Sequence, residues 1–260
     1  MSSKTLIRVE IMFLSLALGL PGFARDLYGE QAKPIVAVFA GHTESLDFQG
    51  NHRGSKSASG IHECFFNDAV VNLIQERANS RVTYVTIPAS LNIPLKSRPG
   101  LAKRLGAVAL IEIHHDSVQA HIYSKLIGAK PPNQALQYYR GFSIHVFPDP
   151  EAIKLAQAIE SQIMASSVPL SAYHQEDIPG ERMKLVPGTK ASYERTQLYL
   201  LRNSSIPTVI LECGCIANPE EEKILKDQKY LERLTGAIHR GVLGYLGVSY
   251  GSVLSPGESK

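Results

Sequence analysis

Residues 206–222 read Ile-Pro-Thr-Val-Ile-Leu-Glu-Cys-Gly-Cys-Ile-Ala-Asn-Pro-Glu-Glu-Glu, an apolar run of strand character that ends by projecting one carboxylate, Glu212. The chain then turns at Gly214 and enters an acidic helix start after Pro219. A glutamate closing an apolar strand is costly to desolvate unless it has a task or a cation nearby. The bland reading is a solvated strand-end acid. Three further segments bear on the choice.

Residues Pro34–Ala40 form a second apolar run, followed by Gly41-His42. His42 therefore sits at the carboxyl end of a strand, where open α/β sheets hold their ligand sites. Glu63 opens a stretch in which Phe66, Ala69, Val70, Leu73 and Ile74 recur at helical spacing. An acid in a first helical turn is also explained by the helix dipole. The third segment, Val108–Asp116, is apolar until its last residues. Side chains alternate along a strand, so Glu112, His114 and Asp116 share one face if the chain stays extended. A lone histidine there reads as a hydrogen-bonded strand end. Two histidines in matching settings plus a helix-start glutamate point to a metal centre.

These segments, in this order, resemble the zinc-dependent N-acetylmuramoyl-L-alanine amidases of the amidase type 3 family. The resemblance runs over residues 34–246. It rests on Gly41-His42, then Gly60-Ile-His-Glu63 with Asn67, then Arg98 and Ile111-Glu-Ile-His114. Its most specific part is the last: Leu201-Arg202, Pro207, Glu212-Cys-Gly214 and Asn218-Pro-Glu220. The chain departs from the family with Thr43-Glu44-Ser45 after Gly-His, Glu112 in place of serine, Asp116 in place of asparagine, and Cys213 and Cys215 in place of leucine and phenylalanine. All four chemistry-bearing positions are kept. The resemblance implies His42, Glu63 and His114 as zinc ligands and Glu212 as catalytic base. The chemistry agrees, since three protein ligands leave a coordination position for water, and a carboxylate outside the ligand set must still move protons. The implied activity is cleavage of the amide between N-acetylmuramic acid and L-alanine in peptidoglycan. Alternatives are a zinc amidohydrolase or peptidase acting on another amide, or a degenerate wall-binding protein without turnover.

Other polar residues carry weaker signals. His62 and His115 adjoin the ligand positions, but strand neighbours point apart. His145 reads as a satisfied sheet histidine and His174 as a solvated loop residue, with contact to substrate as the alternative. Glu112 either supports His114 from outside the ligand set or sits in solvent. Arg202 either touches substrate or neutralises a helix end. Cys64, Cys213 and Cys215 read as buried free thiols acting as small hydrophobes, with a disulfide as the alternative.

The architecture expected is an α/β single-domain sandwich, with a mostly parallel central sheet flanked by helices. Strands are expected at 34–40, 82–87, 107–113, 141–147 and 207–213. Helices are expected at 63–78, 98–105, 150–166, 193–203, 219–226 and 228–246. At 260 residues and 44% apolar composition the chain supports one large core, spanning 33–247, and it shows no internal repeat. A net charge of +3 with no basic run argues against nucleic acid.

Lys4 and Arg8 precede the apolar core 11–20 and the small-x-small pattern ending at Ala24. Residues 1–24 thus read as a signal peptide, the alternative being a retained anchor. A secreted protein, periplasmic or extracellular, without stable membrane insertion after cleavage is the expectation. The tail 248–260 is expected to be disordered. The long segments Ser117–Arg140 and Ser166–Ala191 are expected to border a site. In some members of the family an inserted segment blocks the zinc until an activator protein binds, and Ser117–Arg140 is either such a cover or a substrate-binding rim.

Overall fold

Five apolar runs become strands of one sheet. The computed structural model describes residues 33–46, 52–117, 139–171, 173–175 and 183–248. The expected signal segment, the tail beyond 248 and nearly all of the Ser117–Arg140 segment lie outside the described residues. Among the described residues no helix is long and apolar enough to cross a membrane.

The strands are β1 (Ile35–Ala40), β2 (Thr83–Ile87), β3 (Ala107–Asp116), β4 (Ser143–Val146), β5 (Lys184–Leu185), β6 (Ser192–Glu194) and β7 (Thr208–Cys215). The sheet order is β2-β1-β3-β7-β4-β6-β5. β2, β1, β3 and β7 run parallel, β4 opposes β7, β6 runs with β4, and β5 opposes β6. The expected mostly parallel α/β sheet is what forms.

The helices are α1 (Glu63–Gln75), α2 (Arg98–Arg104), α3 (Pro150–Ala165), α4 (Tyr199–Asn203), α5 (Pro219–Leu225) and α6 (Gln228–Tyr245). Asp149, Asn218 and Asp227 cap α3, α5 and α6 by accepting backbone N–H bonds. Each removes a donor that a bare helix start would leave unpaired. One face of the sheet buries Val36, Val38, Ile111, Ile113, Val209 and Leu211 against α1, α3 and α6. By alternation, Glu112, His114, Ile210 and Glu212 point to the other face, which is covered in part by α2 and α4. α6 comes close to α3 because Gly241 has no side chain, and a Cβ there would lie 2.5 Å from the Ile159 Cα.

Two expectations fail locally. The helix expected over 193–203 is only Tyr199–Asn203, because Ser192 and Tyr193 are drawn into the sheet beside β4 and fully buried. β5 and β6 are also new, being too short for an alternating pattern to announce them.

Candidate metal centre

The ends of three elements bring His42, Glu63 and His114 together. His42 follows β1 in a left-handed conformation, with φ 65°, a backbone state that a non-glycine residue holds only when its surroundings impose it. The surroundings here are one guanidinium. Arg98 donates from Nη2 to the His42 carbonyl at 2.5 Å and from Nη1 to the Ala40 carbonyl at 2.8 Å. Gly41 is required for another reason. A Cβ at this position would sit 2.4 Å from the His114 ring, so the glycine of the Gly-His pair makes room for the second histidine. Gly54 plays the same part for Glu63 and His42, where a Cβ would meet either side chain at 2.6 Å.

Glu63, the first residue of α1, lies between the two imidazoles. Its Oε2 is 3.0 Å from His42 Nε2 and its Oε1 is 2.9 Å from His114 Nδ1. Oε1 also accepts the His115 backbone N–H, and Oε2 that of Ser55. Burial opposes a charge on Glu63, but the hydrogen bonds from His114 and His42 prevail and hold its carboxyl well below the usual range. His114 is pushed down by burial, and Glu112 and Glu63 overcome this and hold it well above its ordinary value. One ligand atom from each of the three residues lies within 4.8 Å of the other two.

The donor set fits a divalent cation. A carboxylate faces an imidazole nitrogen with each of its oxygens, and a cation at this point would take the place of the protons they share. The outer ring nitrogens are occupied as well. His42 Nδ1 lies 2.9 Å from His52 Nδ1, which accepts the Gly54 N–H. His114 Nε2 lies 3.5 Å from Glu112 Oε2. Glu112 is buried and pairs with Arg98. Burial would raise its carboxyl, yet the Arg98 charge holds it at about 2. Such partners fix which ring nitrogen of a ligand histidine is free to bind. Of the two readings left open for Glu112, the solvated one is therefore wrong.

Glu212 pairs with His114 across the β3–β7 ladder and lines a cavity of about 290 Å³ together with Glu112, His114, Asp116 and His145. Its Oε1 is 3.8 Å from His145 Nδ1, and its Oε2 is buried without a hydrogen-bond partner among the described residues. Burial, then the charge of Asp116, raises the Glu212 carboxyl well above its usual range. Ser117 and Tyr139, the described flanks of the segment expected to border the site, both line this cavity.

The other candidates sort clearly. His115 is buried on the opposite face, hydrogen-bonded to Asn67 at 2.8 Å, and burial pushes it down to about 4. His62 precedes α1, and among the described residues its ring makes one long contact, 3.4 Å to the Gly54 carbonyl. His145 was expected to be satisfied, but its Nε2 is buried and unbonded among the described residues. His174 was expected in solvent, but it is buried in the cavity wall, 2.9 Å from Asp116. Arg202 lies on a separate cavity beside Asp149 and Thr208, at the amino end of β7, and not at this site. The three cysteines are buried free thiols, as the bland reading had it.

Residues 36–243 match the family model of N-acetylmuramoyl-L-alanine amidases. The chain belongs to this amidase family. The germination-specific N-acetylmuramoyl-L-alanine amidase of Bacillus subtilis is 27% identical over 81 residues, 31% of this chain and 33% of that protein. The match therefore spans a third of that relative's length. Among solved structures, the amidase Ami1 of Mycobacterium smegmatis shares the fold with a TM-score of 0.63 at 19% identity, covering 83% of this chain and 98% of that one. The CwlD amidase of Clostridioides difficile, in complex with the GerS lipoprotein, gives 0.60 at 20% identity over 84% and 100%. Within this amidase fold, sequence reasoning missed His52, Gly54 and Arg195. Isolated polar residues in loops carry no period, and only the closed fold brings them to the site. Arg98 was visible as a motif residue, but its hold on two ligand-bearing segments was not.

Proposed function

We propose that this chain is a secreted zinc-dependent amidase that hydrolyses the bond between N-acetylmuramic acid and the first L-alanine of the peptidoglycan stem. The observation that supports it most is the meeting of His42 Nε2, Glu63 and His114 Nδ1 one strand away from Glu212, at the wall of a cavity, in a chain of the amidase family. In this reading His42, Glu63 and His114 hold the ion. When bound, zinc supplies a Lewis acid that polarises the scissile carbonyl and makes water easier to deprotonate.

The chain's own residues do the rest. Glu212 accepts the proton of the attacking water on its unbonded Oε2, as a carbon–oxygen bond forms at the carbonyl. It returns that proton to the leaving nitrogen as the carbon–nitrogen bond breaks, giving a carboxylic acid and the free α-amine of L-alanine. Its raised affinity for a proton suits a group that must accept one and then release it. Glu112 and His52 keep the two imidazoles turned toward Glu63. Secretion follows from the residue 1–24 pattern and from where such a substrate lies. A protein partner belongs to the same reading, supported by a structural neighbour seen with a lipoprotein.

The test is digestion of purified peptidoglycan followed by identification of the new ends. The expected products are L-alanine amines and muramic carboxylates, with the activity lost to a chelator and restored by zinc. Glu212→Gln should keep its zinc while kcat falls by roughly 10²–10⁴. His114→Ala should lose metal and activity together. Other released ends, or a Glu212→Gln protein stripped of zinc, would overturn the assignment.

A further inference from the structure

We infer that Arg195 is the receiving group of a second subsite in the cavity, one that takes a carboxylate of the stem peptide. The identity of the ligand rests on the amidase reading above, and the geometry of the subsite does not.

Arg195 directly follows β6. Its backbone N–H donates to the Val146 carbonyl at 2.9 Å, fixing it two residues beyond Tyr193, which pairs with His145. Alternation turns Arg195 toward the same face as Tyr193, and its side chain lines the cavity that holds Glu212. It is the one arginine or lysine among the described residues of that wall.

Two of the three acids of the wall are already engaged. Glu112 pairs with Arg98, and Asp116 takes the Tyr173 hydroxyl and lies against His174. Glu212 has His145 nearby. Arg195 makes no ion pair or hydrogen bond with any of them among the described residues, and its charge reaches Glu212 only at longer range. Among the described residues its Nη1 reaches only the Met183 sulfur, at 3.0 Å, and its Nε is buried without a partner.

A guanidinium presents a planar fork of donors that matches a carboxylate. Leaving one of those donors buried and unbonded forfeits its hydration with nothing in exchange, and an entering carboxylate would restore the missing bond. The spacing suits a peptide. β6 lies two strands from β7, about 10 Å across, and the register sets Arg195 level with Thr208, about 13 Å along the strand from Glu212, so the two backbones stand roughly five residues of extended chain apart. Leu95, Leu198 and Ile210 supply apolar wall between the two ends. A stem bound with its first amide beside Glu212 would bring a later carboxylate to Arg195.

The experiment is calorimetric binding of synthetic stem peptides to the whole chain and to Arg195→Gln and Arg195→Lys. One peptide has its carboxylates free, one is amidated only at the glutamate α-carboxylate, and one only at the carboxyl terminus. One of the two amidations should weaken binding to the wild-type chain by about tenfold or more, the range for a hydrogen bond between charged groups. Whichever amidation does so names the carboxylate. Arg195→Gln should bind the free peptide more weakly and lose the discrimination, with Arg195→Lys between the two. Should Arg195→Gln fail to fold, as judged by its circular dichroism, the wild-type comparison and Arg195→Lys decide. Equal wild-type binding of all three peptides, no binding of the free one, or unchanged discrimination in the variants overturns the subsite. Peptidoglycan cleavage is scored separately. A chain that cleaves without discriminating loses the subsite alone, and one that discriminates without cleaving loses the amidase reading alone.

Discussion

Glu112 shows how one residue can alter a site without entering it. The family usually places serine here, and this chain places a carboxylate that faces His114 Nε2 and is itself held by Arg98. Partners of this kind contribute to metal affinity because they prepay the orientation of the ligand ring, and losing one typically weakens binding about 10–100-fold. Glu112→Ser is therefore expected to weaken zinc binding by that order, read by competition with a coloured chelator and independent of turnover. Glu112→Gln, which keeps an acceptor oxygen and the side-chain shape, should lose less. Unchanged affinity in both variants would reduce Glu112 to a counter-charge for Arg98. The four principal residues were legible in the sequence because each ends or begins an element, and a polar residue closing an apolar run stands out. His145 and His174 were misjudged for the same reason in reverse. A histidine inside a short strand or a polar loop looks ordinary until the fold buries it.

Element boundaries follow from how much pattern each segment offers. The runs leading to β1, β3 and β7 are long and apolar, and α3 and α6 carry both a helical period and a cap, so all five were expected close to their observed bounds. β6 could not be, since three residues hold no measurable period, and its burial depends on β4 arriving beside it. Packing between elements has its own signature in Gly241. Adding a methyl group would drive it into the α3 backbone, with 2.5 Å to the Ile159 Cα. Gly241→Ala gains intrinsic helix propensity, worth at most about 1 kcal/mol. Overpacking against a backbone that cannot yield costs about 1–3 kcal/mol, so the clash should dominate. A lower urea midpoint is the expected result, and a higher one would show that α6 slides away freely.

On the scale of the whole molecule, Glu221 ties the approach to β4 to the end of β7. It accepts the Gly141 N–H at 2.7 Å and the Cys215 N–H at 2.9 Å. Burial outweighs both bonds and raises its carboxyl from 4.5 to about 7. A carboxyl raised on folding favours the folded state while protonated. Its contribution is complete below pH 4.5 and is lost as pH rises through about 7. That loss amounts to about 3 kcal/mol at most. Glu112 acts in the opposite sense and only in acid, its contribution being lost as pH falls from 4.5 through about 2. Urea unfolding at pH 5 and pH 8 should thus differ less in Glu221→Gln than in the parent, and an identical difference would clear Glu221 of responsibility. The sheet itself has two directions. β1, β3 and β7 run one way and carry His42, His114 and Glu212 at or near their carboxyl ends, while β4 and β6 run the other way and carry His145 and lead into Arg195. In the proposed reading, chemistry and selection fall to opposed halves of one surface. On that reading, exchanges on the β6 side would retarget the molecule to differently decorated walls and leave the half proposed to break the bond as it was.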